Sequence, residues 1–278
     1  ADSCPHRRAP LSQGQVINDG ISCPYHGWEF DSSGRCKPIP SLLDNSNSNK
    51  IRVKRYAACE QQNLIWVYGK PNIDPAEKPY VIFHYGESDY GTFTLEPFDI
   101  EAQLHNCLEN FIDVNHTRYL HHGYARIDML SKVKAQIRTS RQLMEVEYLN
   151  EIAPGGKLFK FLTPQGEKLR HIDRLILPSI VQSEYNFGTK YKFLAQDILS
   201  PLTENRTRVF SVTTFQTRMP HFLFKLLIAP FARKILNQDK VMLEAQEKNL
   251  LKINGNGFCS IESDLFYRFI RSALTDPN

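Results

Sequence analysis

The chain has 278 residues, 41% of them apolar and 23% charged, with a formal net charge of +4. That is enough chain for two domains with full cores, and so mild a charge, without a Lys/Arg block, argues against a nucleic-acid partner. The most apolar stretch, 222–236, contains Lys225, Pro230, Arg233 and Lys234 and fails as a membrane span.

In chain order the first pattern is a pair of short loops. Cys4-Pro5-His6-Arg7 and Cys23-Pro24-Tyr25-His26-Gly27-Trp28 each offer one thiolate and one imidazole, with turn residues Gln13-Gly14 and Asn18-Asp19-Gly20 between them. Two Cys and two His can hold a tetrahedral zinc. They can equally hold a [2Fe–2S] cluster in which two His replace two Cys on one iron. The chain starts three residues before Cys4 with no strand to frame that loop, so a fragment lacking its true N-terminus is expected. No signal-peptide pattern is present, and a cytoplasmic location is expected. The remaining cysteines, 36, 59, 107 and 259, are too dispersed for a disulfide scaffold and are expected as buried free thiols.

Asp31-Ser32-Ser33-Gly34 reads as a hairpin turn after Glu29-Phe30, and Ile51–Lys54 and Leu64–Tyr68 read as strands closing a small β domain. Pro71, Pro75 and Pro79 punctuate its exit, which sets the expected domains at 1–72 and 73–278.

A helix is expected from about Gln103, with Leu104, Leu108 and Phe111 facing the core and Asn110, Asp113 and His116 on another face. Two histidines and a carboxylate form a facial triad for non-heme iron(II). His121 lies five positions after His116, a rotation of roughly 140° in a regular helix. Both imidazoles reach one metal only if the helix distorts, so an irregular turn is expected near Thr117–Leu120. His122 does not fit the spacing. Partial alternation in 133–149, 171–177, 180–187, 189–198 and 207–218 predicts successive antiparallel strands. Turns are expected at Pro154-Gly155-Gly156, Pro164-Gln165-Gly166 and Glu204-Asn205-Arg206. Helices at 103–120 and 221–252 would cover the sheet, giving an α+β fold, and Phe266, Phe269, Ile270 and Leu274 would face the core from a last helix.

The segment from Cys4 through Trp28 to Pro40 resembles the Rieske domain of the Rieske non-heme iron oxygenases, in their terminal (alpha) oxygenase subunit. The resemblance favours [2Fe–2S] over zinc and makes Cys4, His6, Cys23 and His26 the cluster ligands. Respiratory-chain Rieske proteins carry an extra cysteine in each ligand loop; residues 8–11 and Gly27-Trp28 have none. The likeness is therefore to the lower-potential oxygenase branch. Asn110-x-x-Asp113-x-x-His116-x-x-x-x-His121 resembles the family's mononuclear iron motif, which implies His116 and His121 as ligands and Asn110 and Asp113 as catalytic residues. In the family the carboxylate at Asp113 bridges an iron-ligand histidine, here His116, and a cluster histidine of a neighbouring subunit, here His26. The segment Gln238-Asp239-Lys240-Val241-Met242-Leu243-Glu244-Ala245-Gln246 resembles the distal segment in which an Asp opens a helix, so the third ligand falls on Asp239, with Glu244 as competitor.

The fold so implied is a small all-β Rieske domain followed by a helix-grip catalytic domain. The implied activity uses O2 and electrons from an NAD(P)H-dependent reductase, with or without a ferredoxin, to hydroxylate or oxidatively demethylate a small organic substrate. A head-to-tail homotrimer is expected. Two other readings stand beside it: an electron-transfer or ligand-binding protein that has lost the iron, and a pigment-pathway oxygenase with residues 222–236 lying on a membrane.

Overall fold

The computed structural model describes residues 1–39, 41–45, 48–121, 134–149, 169–188, 191–253 and 258–275. The chain forms two compact units, Ala1–Val81 and Ile82–Asn278. Pro75 and Pro79 thus belong with the first unit, beyond the boundary expected at 72.

In the first unit β1 (Gln15–Ile17), β2 (Gly20–Ser22) and β3 (Glu29–Asp31) form an antiparallel sheet in that order. Gly20 is required there, because a Cβ would sit 1.8 Å from the Phe30 carbonyl oxygen. Asp31 makes the expected turn by accepting hydrogen bonds at Oδ1 from the backbone of Ser33 and Arg35, both 2.9 Å. A hairpin of β4 (Ala58–Gln61) and β5 (Leu64–Val67) follows. Its turn residues Gln62 and Asn63 both have positive φ, 54° and 59°, the backbone twist that a two-residue hairpin favours. The strand expected at 51–54 reduces to a single bridge between Arg35 and Arg52. The core of this unit is small and sulfur-rich: Cys4, Leu11, Cys23, Phe30, Cys36 and Ile39.

The second unit is built on an antiparallel sheet ordered β6 (Gly91–Thr94), β13 (Arg206–Gln216), β12 (Tyr191–Thr203), β11 (Ile180–Phe187), β10 (Leu169–Ile176), β9 (Leu143–Leu149), β8 (Lys134–Thr139). A further strand, β7 (Phe98–Ile100), also pairs with β13. Four helices lie among the described residues of this unit: α1 (Leu104–Ile112), α2 (Thr117–Leu120), α3 (His221–Ile253) and α4 (Tyr267–Thr275). The Glu204-Asn205 turn joins β12 to β13 as expected; the turns expected at 154–156 and 164–166, and His122, lie outside the described residues.

The register lines up Val146, Asp173, Ser183, Ala195, Thr213 and Phe93 in one row across the sheet. Met144, Leu175, Val181, Asp197 and Ser211 form the next row on the same face. Against that face pack Leu108 and Ile112 of α1, Leu243 of α3 and Ile270 of α4, all buried. Each such side chain contributes about 1.5–3 kcal/mol by leaving water. Phe269 joins this cluster from its edge, whereas Leu274 is exposed. Neighbouring cross-strand positions form an ion-pair ladder, Arg138 to Glu145 and Glu147, Arg170 to Glu147, and Arg174 to Glu145 and Glu184. Opposite charges facing across strands support the pairing.

Three further expectations change. First, α1 ends at Ile112 instead of running on to 120, because Asp113 turns extended (φ −75°, ψ 128°). Second, α3 spans the stretch expected as helix at 221–252, so Asp239 lies in its middle and does not open it as the family's distal segment implies. Third, Cys59 and Cys259 are exposed, while Cys36 and Cys107 are buried as expected.

The start of α1 has no side-chain cap from Gln103. Glu247 of α3 supplies one across the core. Its carboxylate accepts from Gln103 N (3.4 Å), Gln103 Nε2 (3.1 Å) and Asn106 Nδ2 (3.1 Å). A buried acid at the positive end of a helix satisfies otherwise orphaned N–H groups.

Candidate metal centres

The two Cys/His loops of the first unit are built alike. Arg8 N–H donates to the Cys4 carbonyl at 2.8 Å, and Gly27 N–H donates to the Cys23 carbonyl at 3.1 Å. Cys4 N–H reaches Ala9 O at 2.9 Å, and Cys23 N–H reaches Trp28 O at 2.8 Å. In each loop the residue four after the cysteine has positive φ, Arg8 at 62° and Gly27 at 68°. Glycine fits that conformation without strain, whereas arginine adopts it at some cost. The loops bring both thiols together, buried at 1% and 4% exposure, and set the His6 and His26 rings 4.6 Å apart. Trp28 stacks on His6 at 4.4 Å.

Four donors so gathered fit a two-thiolate, two-imidazole cluster. His6 Nδ1 is buried with no hydrogen-bond partner. At Cys23 burial raises the thiol, but the backbone N–H groups of Tyr25 and His26 outweigh it and the thiol is lowered; at Cys4 burial prevails and the thiol is raised. Backbone N–H groups beside sulfur favour the thiolate, the form that binds iron. The cysteines sit inside and His26 is exposed, so the imidazole edge faces outward.

In the second unit His116, His121 and Asp239 converge. His116 Nε2 and His121 Nε2 are 3.2 Å apart, and Asp239 Oδ1 lies 3.4 and 3.2 Å from them. The distortion that allows this is not within Thr117–Leu120, which form the short helix α2, but at its C-terminal end, at His121. The chain leaves helix at Asp113, re-enters it at His116, and leaves again at His121 (φ −102°, ψ 32°). The long reach of both Nε2 atoms then closes the gap.

Each imidazole is held by its other nitrogen. Asp113 Oδ2 faces His116 Nδ1 at 3.3 Å and accepts from His116 N at 3.0 Å, while Asp113 Oδ1 accepts from Asn115 N at 2.9 Å. His121 Nδ1 meets Gln238 Oε1 at 3.0 Å. With hydrogens on both Nδ1 atoms, two Nε2 lone pairs and the Asp239 Oδ1 lone pairs point at one spot. Asp239 Oδ1 has no aligned donor. Metal–ligand bonds of roughly 2.1 Å at right angles put neighbouring donors about 3 Å apart, so the three atoms fit a divalent metal.

The spot also draws protons. Burial lowers the His116 imidazole, but Asp113 and Asp239 outweigh it and push it up to about 9. Burial likewise raises Asp239, which the two imidazoles outweigh, holding it below the usual carboxylate range.

Glu244, the competing ligand, is engaged elsewhere, with Lys240 at 3.4 Å and Glu101 N at 3.3 Å. Asn110 lines the cavity by the triad with Oδ1 buried and unpartnered. Gln238 was missed from sequence, where only its place one residue before Asp239 hinted at a role.

A cavity of about 230 Å³ opens beside the triad. One wall is apolar α3, with Phe224, Ile228, Ala232 and Ile235; the other is the sheet, with Tyr185, Phe193, Asp173 and Asp197. His171 and Asp173 are a buried pair at 3.1 Å, with the imidazole stacked on Tyr148 (4.7 Å) and Tyr185 (4.2 Å). Burial, aided by the charge of Asp239 and opposed by Ser211, pushes the Asp197 carboxyl up to about 7.

Residues 1–57 match the Rieske [2Fe–2S] domain family, and residues 100–275 match the vanillate O-demethylase oxygenase C-terminal domain. The second match alone covers more than half the chain. The chain belongs to the Rieske non-heme iron oxygenases. Among the relatives of this chain is the oxygenase component of dicamba O-demethylase from Stenotrophomonas maltophilia, 27% identical over 92% of this chain and 78% of that one. Methylxanthine N3-demethylase from Pseudomonas putida is 24% identical over 88% of this chain and 68% of that one. The P. putida methylxanthine N1-demethylase is 34% identical, but the match spans only 44% of this chain and 34% of that one. The crystal structure of dicamba monooxygenase bound to 3,6-dichlorosalicylic acid superposes with a TM-score of 0.81 at 22% identity, covering 99% of this chain and 84% of that one, which shows a common fold. The α+β architecture expected from sequence is thus the one observed, and the cofactors of this chain are a Rieske [2Fe–2S] cluster and mononuclear iron.

Proposed function

We propose that this chain is a terminal oxygenase that hydroxylates or oxidatively demethylates a small cyclic organic compound. The observation that carries the reading is the triad of donors 3.2–3.4 Å apart with both imidazoles held from behind. We assign Cys4, His6, Cys23 and His26 to the cluster and His116, His121 and Asp239 to the mononuclear iron. When bound, the cluster supplies single electrons and the mononuclear iron supplies oxygen activation.

The chain's own residues orient and enclose. Asp113 holds the His116 ring by Nδ1 and Gln238 holds the His121 ring by Nδ1, which keeps both Nε2 lone pairs on the metal. The apolar α3 wall excludes water from the cavity, and a carboxylate at Asp113 gives a short polar connection toward a cluster histidine. In our reading that histidine is His26 of a neighbouring copy, which makes the active unit a head-to-tail trimer. Electrons come from an NAD(P)H-dependent reductase, directly or through a ferredoxin. The names of the relatives, a dicamba O-demethylase and methylxanthine N-demethylases, favour demethylation within this class. Among the described residues no helix is long and apolar enough to cross a membrane. All six cysteines are free, which suits a reducing cytoplasm.

A protein that kept the cluster and lost the second metal would have no need of orienting partners behind both imidazoles. Membrane-surface attachment draws on one observation, the exposure of Phe222, Leu226 and Leu227 at the start of α3; sedimentation with lipid vesicles tests it. The deciding experiment uses full-length protein purified anaerobically. About three irons and two sulfides per chain, with a Rieske-type EPR signal on reduction, support the proposal. About two irons and two sulfides after iron reconstitution leave only an electron carrier, and zinc without sulfide overturns the whole reading.

A further inference from the structure

The sheet wall of the cavity holds a carboxyl group with no role at the triad. Asp197 sits on β12 between Val181 and Ser211 of the flanking strands. It is 8% exposed, lines the cavity, and its Oδ1 is buried without a hydrogen-bond partner. A buried acceptor left unmatched is costly, and native interiors rarely keep one without a reason.

Its neighbours narrow what can match it. Ser183, Thr213 and Asp173 stand in the adjacent row of the same face, Asp173 already engaged by His171. The wall opposite is aliphatic and aromatic α3. A ligand lying between them meets an apolar slab on one side and an edge of carboxyl and hydroxyl oxygens on the other, where the carboxylate oxygens only accept and the hydroxyls can do either. Lys192 is the single Lys or Arg among the described lining residues. It lies five positions along β12 from Asp197, roughly 16 Å at strand spacing. An anionic group lying against Asp197 would therefore meet a carboxyl group and no Lys or Arg of the described lining close by.

Resting on the oxygenase reading above, we propose that Asp197 is the specificity-determining residue of this pocket. Its Oδ1 accepts a hydrogen bond from an N–H or O–H on a neutral ring substrate, and the pocket rejects carboxylates. Such a site discriminates strongly against analogues that lack the donor, since these leave the buried oxygen unpaired.

The test is calorimetric binding to anaerobically purified full-length protein, with phenol against anisole, 2-pyridone against N-methyl-2-pyridone, and benzoate. The expected result is about tenfold tighter binding of each donor-bearing probe than of its methylated partner, with benzoate weakest. In Asp197→Ala the preference should fall to within about twofold, while Asp197→Asn, whose amide oxygen still accepts, keeps part of it. Equal binding within each pair by the wild type, tightest binding of benzoate, or a preference that survives Asp197→Ala overturns the proposal. So does loss of the third iron in both variants, which would place Asp197 in the metal site. Because binding is read without turnover, a wild type that lacks the mononuclear iron overturns the oxygenase reading while the probe series still decides the role of Asp197.

Discussion

Replacing Gln238 with Leu should weaken Fe(II) binding at the mononuclear site about 10- to 100-fold. Gln238 Oε1 is the acceptor at 3.0 Å from His121 Nδ1, and His121 is only 2% exposed. No bulk water can take the acceptor's place, so the Nδ1–H is left buried and unsatisfied, at a cost of about 1–3 kcal/mol. That is the same size as the affinity loss, about 1.4–2.7 kcal/mol. Leu favours helix as well as Gln does, so α3 should stay intact. The assay is competition for Fe(II) between the enzyme and a chelator, with visible absorption of the cluster as an internal control. Gln238→Glu, which keeps an acceptor and adds charge, should bind at least as tightly as wild type. Affinity of Gln238→Leu within twofold of wild type would refute the claim that this contact orients the ligand.

Asp113→Asn should retain iron yet stop reduced cluster from being reoxidised in the presence of substrate and O2, as followed by stopped-flow absorption; normal reoxidation would remove Asp113 from the connection. Glu247→Ala strips the acceptor from three donors at the start of α1 and should cost about 2–4 kcal/mol in urea unfolding, whereas a change below 1 would mean the cap is dispensable. Burial pushes the Cys107 thiol up to about 12, so iodoacetamide at pH 8 should alkylate exposed Cys59 and Cys259 and spare Cys107 by mass spectrometry; early modification of Cys107 would contradict its packing. The Asp99 carboxyl is held down to about 2, first by the Arg208 hydrogen bond, with Arg206 adding to it against burial. Its folded value lies below the unfolded value of about 3.9, so its contribution is complete above about pH 4 and is lost as the pH falls toward 2. Asp99→Asn should flatten the fall in unfolding midpoint over that window, and an unchanged slope would count against the pair.

Much of this molecule is legible locally. The two Cys/His loops can be read because every ligand lies within three residues of its partner and each loop closes on its own backbone bonds. Alternation predicts strands at 180–187 and 207–218, and the structure has them at Ile180–Phe187 and Arg206–Gln216. The helix from 103 is shorter than its pattern suggests: Leu104, Leu108 and Phe111 carry a helical period, whereas the Asp113 side chain competes for the backbone N–H groups of Asn115 and His116 and breaks it. Asp239 stands at a helix start only in the family resemblance; the helix expected at 221–252 is observed through Pro230, with Phe224 and Ile228 packed on the sheet.

By itself the sequence determined the chemistry: a donor set of two thiolates and two imidazoles in matched loops, and a histidine pair with a carboxylate nearby. Those are statements about residue type and short spacing, which survive any arrangement of the rest. The tertiary structure decided which atoms actually meet. It set Gln238 behind His121 across 117 positions, turned Glu244 away from the metal position, and put Asp197 on the cavity face of β12. The facing of a strand is fixed by its register, and one residue of slip would send Asp197 to the other side of the sheet. Register depends on every strand at once, so no local pattern carries it.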